Sequence, residues 1–170
     1  MEDNFARLGF ERIFNVEKII TLFYMELSKS FHYDGEQHDF WEMVYIDKGE
    51  MVCTAERNRF VLKSGEMTFH KPNEYHNLSG NNAVAPNVSI VTFQCRSRAM
   101  QYFEGKIFRL DSEEKSLLSM FFDEGLSCFR LVDLQQVFGH LAAAKGASLY
   151  LFQPLQQRIV GICRLHSQHV

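Results

Sequence analysis

Near Asp111 the spacing of the hydrophobic residues changes, and this change limits the possible folds of the chain more than any other feature. Before it, short runs of alternating or β-branched and aromatic residues are separated by turn formers. Such runs put one side of an extended strand into a core and the other outside it. Strands are predicted over Ile19 to Leu27, Phe40 to Ile46, Met51 to Ala55, Arg59 to Leu62, Glu66 to His70 and Val88 to Phe93. Asp47-Lys48-Gly49-Glu50, Glu56-Arg57-Asn58 and Lys63-Ser64-Gly65 read as the tight turns between them, and Ser79-Gly80-Asn81-Asn82 as a loop. Strands at this spacing indicate an antiparallel sandwich or barrel over residues 1–110.

After Asp111 the period becomes helical. Asp111 precedes Ser112-Glu113-Glu114, the pattern of an N-cap with Glu three places on. Leu117, Leu118, Phe121 and Phe122 then form a stripe that stops near Gly125. A second helix is expected from about Val132 to Ala144, ending at Gly146, and a third from Pro154, carrying Leu155, Ile159, Ile162 and Cys163. Residues 111–170 therefore read as a helical appendage. The apolar edge of its last helix suits a contact between two copies of the chain.

Composition narrows the function. Sixteen Phe suggest a barrel or sandwich filled with large rings, and a net charge of −3 gives no basic footprint for gripping nucleic acid. Cys53, Cys95, Cys128 and Cys163 fit no zinc or CxxC spacing and read as buried thiols of a reducing cytoplasm. No basic-then-apolar leader opens the sequence, and no apolar run approaches the roughly 20 residues of a membrane span. A cytoplasmic location is the expectation.

Chemistry concentrates in two stretches, Gly35-Glu36-Gln37-His38-Asp39-Phe40-Trp41-Glu42 followed by Gly49, and Gly65-Glu66-Met67-Thr68-Phe69-His70-Lys71-Pro72-Asn73-Glu74-Tyr75-His76. Glu36, His38 and Glu42 share one parity, so an extended strand would turn all three to one face, beside Phe40 and Val44. Polar groups among apolar neighbours need partners, which points to a pocket for a ligand, water or metal. Trp41, Met43 and Tyr45 have the opposite parity and would cover the outside of the barrel, beneath the helical tail. The face of His70 is not fixed by the pattern. His32 reads as a loop residue, and His166 and His169 as solvated.

These stretches resemble the two signature motifs of the cupin superfamily. His38, Glu42 and Gly49 keep the spacing of the first motif, and Gly65 and His76 that of the second. Glu36 stands where the family's first His is usual, and Lys71-Pro72-Asn73 replaces a Pro-x-Gly turn. Asn73 can supply the left-handed conformation that Gly would. The phrase from His38 to Leu78, followed by a strand and helices, is similar to the N-terminal sensor domain of AraC-type transcription regulators. That resemblance implies a mainly β fold, a cupin double-stranded β-helix (jelly-roll barrel) followed by two or three α-helices. It also implies a small-molecule effector in the barrel, a homodimer formed through the helices, and DNA read by a separate helix-turn-helix domain. No helix-turn-helix is found in these 170 residues, so the chain is expected to be a sensor part or a stand-alone relative of one.

Two chemistries follow for Glu36, His38, Glu42 and His76. As a two-His, two-carboxylate set they suit Fe, Mn, Ni or Zn. As remnants of an ancestral metal site, in keeping with sensor cupins that often lack metal, they would hydrogen-bond within the cavity or bind an effector's polar groups directly. A metal-dependent cupin enzyme, a dioxygenase or isomerase, is the alternative to a sensor. A missing His ligand and the lack of a separate acid–base pair weigh against it.

Overall fold

The computed structural model describes residues 14–130, 142–143 and 160–161. Its strands are β1 (Val16–Glu26), β2 (Trp41–Lys48), β3 (Glu50–Ala55), β4 (Asn58–Lys63), β5 (Glu66–His70), β6 (His76–Ser79), β7 (Asn87–Cys95) and β8 (Ile107–Arg109). A 3-10 turn, Arg98–Phe103, precedes β8, and helix α1 (Ser112–Cys128) follows it. An antiparallel five-stranded sheet in the order β1-β7-β2-β5-β8 packs on a three-stranded sheet in the order β4-β3-β6. The six expected strands are present. β6 and β8 were not anticipated, because four and three residues are too few to show a period of two.

Strand β2 divides two cores. Val44 and Ile46 point between the sheets and meet Met51, Cys53, Leu62, Leu78, Val88 and Ile90. Trp41, Met43 and Tyr45 point the other way, as their parity requires, and pack with Met67, Phe69, Phe93, Leu118, Phe121 and Phe122 beneath α1. The large rings therefore correct one expectation. Phe14, Phe69, Phe93, Phe103, Phe108, Phe121 and Phe122 fill the layer between sheet and helix, while the fully buried side chains between the sheets are Val, Ile, Leu, Met and Cys, with Phe23, Phe31 and Phe60 only partly buried against them.

The turn before β3 depends on Gly49, which has φ +76°, and a methyl group there would lie 2.6 Å from the Ala85 carbonyl oxygen. Gly49→Ala combines a left-handed non-Gly residue with this contact, and is expected to cost about 1–3 kcal/mol. A urea midpoint equal to that of the parent protein would contradict this account of the turn.

The start of α1 is fixed as its sequence predicts. The Asp111 carboxylate accepts the Glu114 N–H at 2.9 Å, and the Glu114 carboxylate accepts the Asp111 N–H at 2.8 Å. This reciprocal box satisfies two otherwise unpaired donors, so Asp111→Ala should lower stability by about 1 kcal/mol. Thermal denaturation of the variant, compared with Asp111→Asn, would show whether the loss follows the cap. The end of α1 is a correction: Gly125 is not a stop, and the helix continues to Cys128. A Cβ on Gly125 would sit 3.0 Å from both methyl groups of Leu22 on β1, so this glycine permits a close helix–sheet approach.

Most of the second and third expected helices lie outside the described residues, as do Cys163, His166 and His169. Ala142–Ala143, placed by sequence inside the second helix, instead pair antiparallel with Phe129–Arg130. Val160 and Gly161 of the third are helical. Cys53 and Cys95 are free, buried thiols, as expected. Among the described residues no helix is long and apolar enough to cross a membrane.

Candidate metal and ligand site

The segment before β2 brings the polar residues together by a route the sequence did not suggest. No strand runs through Glu36 and His38. Instead Glu36 and His76 exchange two backbone hydrogen bonds, of 2.9 and 3.0 Å, as an isolated bridge. The Asn73 N–H donates to the His38 carbonyl at 2.7 Å, and the Gln37 side-chain amide donates to the Asn73 carbonyl at 2.6 Å. Asn73 holds φ +62°, and the Glu74 N–H closes the turn onto the Lys71 carbonyl at 3.2 Å. Asn thus takes the left-handed position that Gly would occupy. Glu42, the second residue of β2, lies opposite His70 of β5 and Thr92 of β7. Directly opposed residues share a face, so all three turn inward.

The result is one cluster. Glu36, His38, Glu42 and His76 each offer a ligand atom, and the four atoms lie within 4.8 Å of one another. His38 Nε2 is 3.5 Å from Glu42 Oε2, His76 Nε2 is 3.6 Å from Glu42 Oε1, and His76 Nε2 is 3.9 Å from Glu36 Oε1. These separations exceed the hydrogen-bond range. The Glu42 and His76 side chains are almost wholly buried, whereas Glu36 stands at the rim with 35% of its side chain exposed.

Tautomers are set from behind. His38 Nδ1 lies 3.0 Å from the Phe40 carbonyl oxygen, and His76 Nδ1 lies 2.9 Å from that of Glu74. A carbonyl only accepts, so each Nδ1 carries the proton and the neutral ring presents a bare Nε2 lone pair. Both Nε2 atoms are buried without a hydrogen-bond partner among the described residues. Burial alone would raise the Glu42 carboxyl, but His38 and His76, when they carry a proton on Nε2 as well, outweigh it and hold it at about 2. Burial and the neighbouring Glu42 charge push Glu36 up. His76 is drawn down by burial and raised more strongly by Glu42, ending above its ordinary value.

This donor set fits a divalent cation. Two lone-pair nitrogens and two carboxylates converge, with no Lys or Arg among the pocket's lining residues. Donors sharing one ion at about 2.1 Å stand roughly 3–3.4 Å apart, so the pairs at 3.5–3.9 Å need side-chain shifts of a few tenths of an ångström, and a pair as wide as 4.8 Å needs about an ångström. The cluster forms the polar end of a cavity of about 150 Å³, whose apolar walls are Ile20, Phe23, Leu78 and Ile90.

Three residues of this region were not recognised as site residues in the sequence. Tyr33 lines the cavity, and burial and the Glu36 carboxylate push its phenol up to about 12. His70 is buried against His76, and Glu74 bonds to it at 3.0 Å. Four of the five β5 residues are buried, so alternation could not assign a face to His70. His32 is exposed, in keeping with a loop residue.

Residues 27–83 match the family model described as the AraC-like ligand binding domain, and that span holds all four clustered residues. Among solved structures, an apo ToxT variant from Vibrio cholerae aligns with a TM-score of 0.50 at 9% identity, over 84% of this chain and 52% of that one. The chain thus spans about half the length of ToxT. The cupin domain of Schizosaccharomyces pombe Cnp3 aligns with a TM-score of 0.43 at 12% identity, over 48% of this chain and 59% of that one. An RmlC-like cupin from Shewanella frigidimarina gives 0.39 at 16% identity, over 55% and 93%. No curated protein matches the sequence. The fold is mainly β, two antiparallel sheets followed by α1, and it resembles that of ToxT.

Proposed function

We propose, from a cupin-like fold whose residues 27–83 match the AraC-like ligand binding domain, that this chain is a small-molecule sensor of an AraC-type regulator. Its effector is held in the barrel against a divalent cation carried by Glu36, His38, Glu42 and His76. The observation that carries this reading is the pair of buried Nε2 lone pairs turned toward one buried carboxylate. When bound, the cation supplies Lewis acidity and an orienting point for an oxygen donor. The chain's own residues do the rest. Glu42 supplies fixed negative charge, the Phe40 and Glu74 carbonyls keep both imidazoles in the ligating tautomer, and the apolar walls exclude water from the other end.

The cavity limits the effector's size. A cavity of about 150 Å³ accommodates a molecule near the size of benzene, so a compact metabolite with one chelating end fits better than an oligosaccharide. In this reading residues 1–110 bind the effector, residues 111–170 pair two subunits, and DNA is contacted by a separate helix-turn-helix domain. Action in the cytoplasm agrees with the buried free thiols.

Elemental analysis of untagged protein, joined with melting curves, tests the proposal. A stoichiometric divalent metal is expected, and at about a hundred times its Kd it should raise Tm by roughly 5–10 °C. A compact hydroxy or keto acid should add a further shift only when metal is bound. Stabilisation by a metabolite with no metal present would sink the cation's role and leave the sensor. Turnover of the metabolite would favour the dioxygenase or isomerase alternative.

A further inference from the structure

Among the described residues, His70 is the one inward-facing imidazole outside the cluster that is packed against it. It is 1% exposed, and its ring lies face to face with that of His76, at 4.3 Å between centroids and 9° between planes. His70 Nδ1 is 3.0 Å from Glu74 Oε2, and the carboxylate accepts its proton. Glu74 therefore holds two rings. Its side chain fixes His70, and its main-chain carbonyl fixes His76. On the other side of the cluster the His38 ring stacks on Phe40 at 3.9 Å, so each nitrogen ligand has an aromatic plate behind it.

We propose that His70 and Glu74 are positioning residues of the metal centre, His70 clamping the plane of the His76 ring and Glu74 anchoring the clamp; this rests on the cation reading of the site. An imidazole free to rotate about its side-chain torsions loses part of its ligand strength to the cost of ordering it. A stacked neighbour tethered by a carboxylate removes that freedom before the ion arrives. The stack needs a planar ring at position 70, whereas the Glu74 bond needs a nitrogen there. The two requirements separate by substitution.

The test is titration of the full chain with Co(II), reading both affinity and the visible d–d spectrum, beside the melting temperature of the metal-free form. His70→Ala is expected to bind Co(II) about 10- to 100-fold more weakly with an altered spectrum, the range seen when outer-shell partners of metal ligands are removed. His70→Phe keeps the plate and should recover most of that affinity. Glu74→Ala should weaken binding by about tenfold, and it carries the test if His70→Ala does not fold. Parent protein that takes up no Co(II) would overturn the cation reading and this inference together. Parent protein that binds, with His70→Ala or Glu74→Ala unchanged in affinity and spectrum, would overturn the inference alone. Equal weakening in His70→Ala and His70→Phe would overturn the clamp.

Discussion

Phe69→Ala is expected to remove about 3–5 kcal/mol of folding stability, the usual cost of truncating a buried Phe where the surroundings do not collapse. Phe69 is 1% exposed, and its ring meets those of Phe103, Phe93 and Phe108 at centroid distances of 4.8, 6.4 and 6.5 Å. These neighbours come from the 3-10 turn, β7 and β8, and each is held by its own packing. No single backbone shift brings them all inward, so most of the cavity should persist. A loss of this size is a large part of the roughly 5–15 kcal/mol by which a domain is stable. In urea the midpoint should fall while the slope stays constant. Val61→Ala, at an exposed position on edge strand β4, should change stability by no more than about 0.5 kcal/mol. A Phe69→Ala loss below about 1 kcal/mol would mean that the ring layer repacks freely.

The second large effect concerns the proposed metal site. Outer-shell changes cost about 10- to 100-fold in affinity, so removing a ligand should exceed roughly 100-fold. His38→Ala, His76→Ala and Glu42→Gln are each expected to reach that level. Glu36→Gln should cost clearly less. Glu36 is the most exposed of the four, and its nearest cluster contact, to His76, is the longest of the measured separations at 3.9 Å. Calorimetric titration of the four variants would give the order. An equal loss in all four, or retention of stoichiometric metal in a His38→Ala/His76→Ala double variant, would rule out the arrangement described here.

Much of the barrel was legible because its strands alternate. β2 shows why: Val44 and Ile46 go to one core, Met43 and Tyr45 to the other, and parity assigns each correctly. The Asp111–Glu114 box was equally legible, since it depends on residues three apart. Gly125 was misread, because a glycine that ends a helix and one that admits a neighbouring Leu22 look alike in sequence. The site shows a subtler limit. Parity grouped Glu36, His38 and Glu42, and they do meet, yet Glu36 and His38 arrive on an irregular segment fastened to His76 and Asn73. Grouping residues by type and spacing worked where the conformation inferred from the same spacing did not. His70 and Glu74 were invisible for a different reason. Their roles depend on a ring stack and a turn carbonyl, which no hydrophobic period encodes.

The two-sided burial of β2 sets how closely events in the cavity and in the helix can be separated. Glu42 and Met43 are consecutive residues, one buried in the His/Glu cluster and the other against the layer that seats α1. Close-packed interiors transmit small displacements because they lack room to absorb them. The same strand is therefore a party wall: an occupant that pulls on Glu42 pulls on the seat of α1 through a single peptide bond.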